Sequence, residues 1–126
     1  TEFATPSSNG APHGIAAGPD GNLWFTESAD SGWIGRISPP TGAITEYPLR
    51  TTNSAPEEID AGAAGTLYFT ENADPGAIGK IDPHTGVVTE LTTGLTIKRG
   101  PQSIIGAADG ALWFTEFDDR GALGRL

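Results

Sequence analysis

The sequence predicts an all-β propeller in which one chain supplies three four-stranded blades. Three observations carry that reading. The first is a repeat: Pro12-His13-Gly14-Ile15, Leu23-Trp24-Phe25-Thr26-Glu27 and Ile34-Gly35-Arg36-Ile37 return twice, starting again at Pro56 and Pro101, and Ile44-Thr45-Glu46-Tyr47 returns once as Val88-Thr89-Glu90-Leu91. The steps between those prolines are 44 and 45 residues, the period of a four-stranded blade. The second is the absence of any helical period, since every apolar stretch is short and bounded by turn residues. The third is where the pattern breaks. The last copy stops at Leu126 without its outer strand, and a Thr-Glu-aromatic piece of that kind stands at the other end as Thr1-Glu2-Phe3.

Within each repeat the elements follow in order. Gly14-Ile15-Ala16-Ala17, Ile59-Asp60-Ala61-Gly62 and Ile104-Ile105-Gly106-Ala107 are small and apolar, as suits strands crowded around a central axis. Asp20-Gly21 and Asp109-Gly110 mark hairpins, because glycine accepts the positive φ of such turns. The second strand carries Trp24, Phe25, Tyr68, Phe69, Trp113 and Phe114, which read as the cement between stacked sheets. Asp30-Ser31-Gly32, Asp74-Pro75-Gly76 and Asp119-Arg120-Gly121 are turns into the third strand. The turns Pro39-Pro40-Thr41-Gly42 and Pro83-His84-Thr85-Gly86 lead to outer strands whose apolar Ile44, Tyr47, Val88 and Leu91 alternate with polar neighbours.

The chain therefore reads as a single half-propeller over residues 1–126, with repeats beginning near Pro12, Pro56 and Pro101. Three blades do not close a ring, and the two open blade faces would be apolar. Two copies related by a two-fold axis would give six blades. A nine-bladed trimer is the wider alternative. In either, Thr1–Phe3 would be the outer strand of the third blade, its own or a partner's, and exchange with a partner would lock a homodimer.

Composition narrows the function classes. Sixteen acidic against seven basic residues argue against a nucleic-acid groove, which needs clustered Lys and Arg. No apolar run approaches the roughly 18 residues of a membrane helix. Cysteine is absent, which excludes disulfides, zinc–thiolate sites and a thiol nucleophile. The chain opens on Thr1, shows no signal segment and contains no methionine, so it reads as processed, excised or engineered, with its compartment undetermined.

Pro-His-Gly-Ile, Asp-Gly-Asn-Leu-Trp-Phe-Thr-Glu, Ile-Gly-Arg-Ile and Thr-Gly-x-Ile-Thr-Glu-Tyr-Pro-Leu together resemble the repeat of the streptogramin B lyases, the virginiamycin B lyase family. The resemblance runs blade by blade through essentially the whole chain. It implies a propeller, seven-bladed in the family, that linearises a cyclic depsipeptide antibiotic by elimination with the help of Mg²⁺. It also implies an active site at the channel mouth, built on a His after the repeat's Pro and a Glu ending the Trp-Phe-x-Glu strand. His13 and Glu27 match that pairing. The chemistry is coherent, since imidazole is a base near neutral pH and a carboxylate-held metal can steady an enolate. The sequence departs from the family where a Glu should precede Pro-His: Ala11 stands there, with Ala55 and Gly100 in the other copies. The His13 position becomes Glu57 and Gln102.

These residues lead to a self-assembling scaffold or binding propeller built from lyase-type repeats, with no catalysis and no cofactor of its own. The alternative is a Mg²⁺-dependent carbon–oxygen lyase using His13 and Glu27. Glu57, Gln102, Lys98 and Trp33 are the expected channel-mouth contacts for a small peptide or sugar. Glu57, Glu58 and Asp60 are the expected acidic ligands for a hard cation. Glu27, Glu71 and Glu116 recur in every copy and read as structural, answering backbone N–H groups of the turn that follows.

Overall fold

The computed structural model describes residues 1–29, 32–91, 100–117 and 121–126. The turn residues Asp30, Ser31, Asp119 and Arg120 and the pair Lys98-Arg99 therefore lie outside the described residues. Among the described residues eleven strands follow one another: β1 Pro12–Ala17, β2 Leu23–Glu27, β3 Trp33–Ile37, β4 Ile44–Pro48, β5 Pro56–Ala61, β6 Leu67–Glu71, β7 Ala77–Ile81, β8 Val88–Leu91, β9 Pro101–Gly106, β10 Leu112–Glu116 and β11 Ala122–Arg125. They form three antiparallel meanders, β1-β2-β3-β4, β5-β6-β7-β8 and β9-β10-β11. Among the described residues the third has three strands, and Thr1–Phe3 is not in a strand. Among the described residues the one helical element is a 3-10 turn, Ala63–Gly65, where the second repeat lacks the Asp-Gly hairpin. Among the described residues no helix is long and apolar enough to cross a membrane.

Blades stack through their inner strands, β1 against β5 and β5 against β9. Alternation along β2 decides what each face carries. Trp24 and Thr26 face the following blade, while Leu23, Phe25 and Glu27 face the other way. One buried cluster joins Trp24, Ile34 and Leu49 to Ile59, Leu67, Phe69 and Ile81 of the second blade. A second cluster joins Ile78 to Ile104, Leu112 and Phe114 of the third. Trp24, Phe69, Phe114 and the partly buried Tyr68 thus pack between blades as the sequence indicates, whereas Trp113 is 39% exposed. Trp24 also stacks on Tyr47 with ring centroids 5.5 Å apart, under the Arg36 guanidinium, and its indole N–H donates to Asp20. The glycine of Ile-Gly-Arg/Lys-Ile has a packing cause: a Cβ at Gly35 or Gly79 would enter the ring of Phe25 or Phe69.

Each inner strand is bulged after its proline, between Pro12 and Ile15 and between Pro56 and Ile59. A bulge breaks the ladder and leaves backbone groups unpaired. The threonine before the terminal Glu of the second strand repairs it. Gly14 N–H donates to Thr26 Oγ1 at 2.9 Å and Glu58 N–H to Thr70 Oγ1 at 3.0 Å. The same hydroxyls donate onward to the next blade, Thr26 to the Glu57 carbonyl and Thr70 to the Gln102 carbonyl at 2.6 Å.

Replacing Thr70 with valine keeps the shape and leaves a buried N–H and a carbonyl unpaired. Urea denaturation of Thr70→Val should show a loss of about 1–3 kcal/mol. A loss below about 0.5 kcal/mol would mean the hydroxyl does not join the blades.

Candidate functional site

The bulges place one polar side chain from each blade at the same position: His13, Glu57 and Gln102. A bulge re-aims its side chains, so this rim is where the repeat permits variety. His13 is exposed, and its Nδ1 lies 3.8 Å from Glu58 Oε1. Glu57 and Gln102 are half-buried, and Asn72 Nδ2 donates to Glu57 Oε1 at 2.6 Å. Trp33 opens β3, half-buried, and pairs with Glu27 across the ladder. Lys98 lies outside the described residues.

Glu58 is half-buried near His13. Asp60 serves the fold: it accepts from Ala61 N–H at 2.8 Å and from Gly106 N–H at 2.9 Å, which ties the second blade to the third. Among the described residues no group of three or more His, Asp or Glu side chains is arranged to hold a metal ion.

Glu27 and Glu71 form a different kind of cluster. Both are fully buried at the ends of β2 and β6. They do not answer the turn that follows, as their recurrence suggested. Glu27 Oε2 instead accepts from Ser7 Oγ at 2.9 Å, and Ser7 N–H donates to Glu46 Oε1 at 3.0 Å. Thr51, one period after Ser7, likewise donates its hydroxyl and N–H to Glu90. The segment entering each of the first two blades thus lies over a carboxylate pair, Glu27 with Glu46 and Glu71 with Glu90. Burial pushes Glu27 above its ordinary range; the Ser7 hydroxyl offsets part of this and Glu46 adds to it. Burial, reinforced by Glu90, pushes Glu71 up to about 8. Among the described residues Oε1 of each buried glutamate has no hydrogen-bond partner.

Among the described residues no hydrogen bond or ion pair joins His13 to Glu27. The structure sets the imidazole beside Glu58, while Glu27 turns to Ser7 on the face away from the second blade. Ser7, Glu46, Thr51, Glu90 and Asn72 were not singled out from sequence. The signal was available for four of them, since Ser7 and Thr51, and Glu46 and Glu90, stand one repeat apart.

Bulged four-stranded meanders stacked about their inner strands define a partial β-propeller. The whole chain, residues 1–126, matches the Virginiamycin B lyase family, and it belongs to that family. Virginiamycin B lyase of Saccharopolyspora erythraea is 50% identical over 44 residues, which is 35% of this chain and 14% of that protein. The crystal structure of selenomethionine-substituted virginiamycin B lyase from Staphylococcus aureus superposes with a TM-score of 0.81 and 35% identity. That match covers 100% of this chain and 44% of the other, so the chain spans less than half of the solved relative. A gluconolactonase from Xanthomonas campestris shares the fold alone, at 20% identity and a TM-score of 0.70 over 91% of this chain and 43% of that one.

The raised Glu71 carries a signed prediction. The fold holds its protonated form, so this contribution is complete below about pH 4.5 and lost as pH rises through about 8. Across that window stability should fall by up to about 1.4 kcal/mol per pH unit from this group. Denaturation midpoints for Glu71→Gln should flatten between pH 5 and 8 relative to the parent chain; parallel curves would refute the assignment.

Proposed function

We propose that this chain is a self-assembling half-propeller that closes on a second copy into a six-bladed ring, a scaffold or binding module without catalysis of its own. The observation that carries the reading is one repeat position seen three times. Ile34 and Ile78 are 0% exposed under the following blade, whereas their counterpart Leu123 is 71% exposed. With Ile105 and Trp113 it lines an apolar groove of about 330 Å³. The opposite end mirrors this, for Ile15 is 62% exposed where Ile59 is 3% and Ile104 7%. Both faces are built as blade interfaces, and the face at one end has the residues that cover the face at the other. A surface of this kind is an association site, and a head-to-tail contact that closes after two copies gives a ring.

Light scattering behind a sizing column should give twice the chain mass across a hundredfold dilution. Leu123→Asp should shift it to the single-chain mass. A parent chain that is monomeric throughout would end the closure reading, and three times the mass would replace six blades with nine.

A second reading keeps the chemistry for which the relatives are named. Its support is that His13 and Glu27 are retained on neighbouring strands of one blade. Imidazole there could take a proton next to a carbonyl, although acid–base catalysis tolerates little misplacement and the two side chains engage different partners. The expected outcome is no linearisation of a streptogramin B depsipeptide above the buffer rate. Turnover that His13→Ala abolishes, in a chain that stays folded, would establish the lyase reading instead.

A further inference from the structure

We infer that residues 50 to 53 form a proton-latched strap over Glu71 and Glu90, which rising pH opens at the seam between the first two blades without unfolding them. The strap lies between two blades of one chain, so its opening does not depend on how copies assemble.

The segment from β4 to β5 is fastened at both ends and loose in between. Leu49 is buried in the cluster shared by the first two blades, and its N–H donates to the Gly32 carbonyl at 3.2 Å. At the other end Ser54 is buried, and the Ala55 carbonyl accepts from Asn72 N–H at 3.0 Å. Arg50, Thr51, Thr52 and Asn53 between them are exposed. Asn53 at φ 58° and Ala55 at φ 44° take the left-handed backbone. Asparagine visits that region readily, alanine only at a cost. Closure of the strap therefore works against a backbone preference at Ala55.

What holds the strap down is one carboxylate. Thr51 donates both its N–H, at 3.3 Å, and its hydroxyl to Glu90. In the first blade the equivalent Ser7 divides its donors, the N–H to Glu46 and the hydroxyl to Glu27. Glu71 is thus 1% exposed without a donor from Thr51, and its Oε1 is unpartnered among the described residues. An ionised carboxyl is costly to bury unpaired, so the closed strap favours the acid form of Glu71. Opening admits water and removes that preference.

The charged groups around Glu71 do not offset the burial. From β8 comes Glu90, whose charge adds to it. From β5 come Glu57, held by Asn72, Glu58, beside His13, and Asp60, which accepts from Gly106 N–H. Lys80 of β7 pairs with Tyr68, down the ladder from the pair of Glu71 with Ala77. Asp74 in the turn after β6 and Arg50 in the strap are exposed. Burial first, then Glu90, pushes Glu71 up to about 8. The latch is therefore complete below the ordinary carboxyl range and is lost as pH rises through about 8.

Native-state hydrogen exchange of the full chain tests this between about pH 5 and 8, with and without urea below the unfolding transition. The protection factor of Thr51 N–H should fall by up to about tenfold per pH unit. Urea should leave it unchanged, because a strap exposes little surface. The amides of β6, paired on both sides, should stay better protected and lose protection with urea. Glu71→Gln keeps the shape of the acid without its charge, and should make Thr51 protection independent of pH. Thr51 protection that ignores pH in the parent chain would overturn the strap, as would a pH slope that survives in Glu71→Gln. Urea that lowers Thr51 protection in step with β6 would mean the segment opens only by unfolding, and would overturn the local latch. The parent chain alone decides the first and last of these outcomes.

Discussion

The threonine hydroxyl at the end of each blade's second strand is the interaction on which the stacking depends. The inner strand is bulged after its proline, and a bulge forfeits ladder bonds. Thr26 and Thr70 recover the loss within the blade and donate to the next blade's carbonyl in the same stroke. One side chain thus makes the local irregularity and the long-range stacking a single requirement. A serine could supply the bonds, but the β-branched threonine also suits the strand. Valine would suit the strand and supply neither bond.

From that coupling follows the contrast between the middle of the chain and its ends. Where a following blade exists, the threonine, the second-strand aromatic and the third-strand isoleucine are covered together. In the third blade, which no described blade follows, Trp113, Thr115 and Leu123 are uncovered together. The exposure at the end blades is the normal interface seen with one side removed. Its apolar character needs no special origin beyond the repeat itself.

Much of this was legible in the sequence because the repeat writes each structural role three times. The proline starts, the Ile-Gly-Arg/Lys-Ile strands and the inter-blade aromatics all fall where periodicity and turn chemistry put them. What escaped was set by contacts between elements far apart in the chain. Glu27 and Glu71 looked like turn acceptors because a carboxylate beside a turn usually is one. The structure joins them to Glu46 and Glu90 across a whole sheet, under an entering segment whose Ser7 and Thr51 are unremarkable in composition. That Phe3 rests on Gly42 was not legible either, because nothing local says where so short a segment will lie.

The repeat also shows where this fold leaves room for chemistry. Positions 26, 70 and 115 are all threonine, and 27, 71 and 116 all glutamate, because each copy faces the same bonding requirement. Positions 13, 57 and 102 are His, Glu and Gln. They sit at the bulges, where the backbone is already satisfied by the threonine and the side chain is released toward the rim. Identity there differs from copy to copy, with Glu57 held by Asn72 Nδ2 at 2.6 Å and His13 standing beside Glu58. A buried glutamate such as Glu71 is the opposite case. Its protonation is bound up with the packing of two strands and an entering segment, and any role it took at the rim would have to be exchanged against stability.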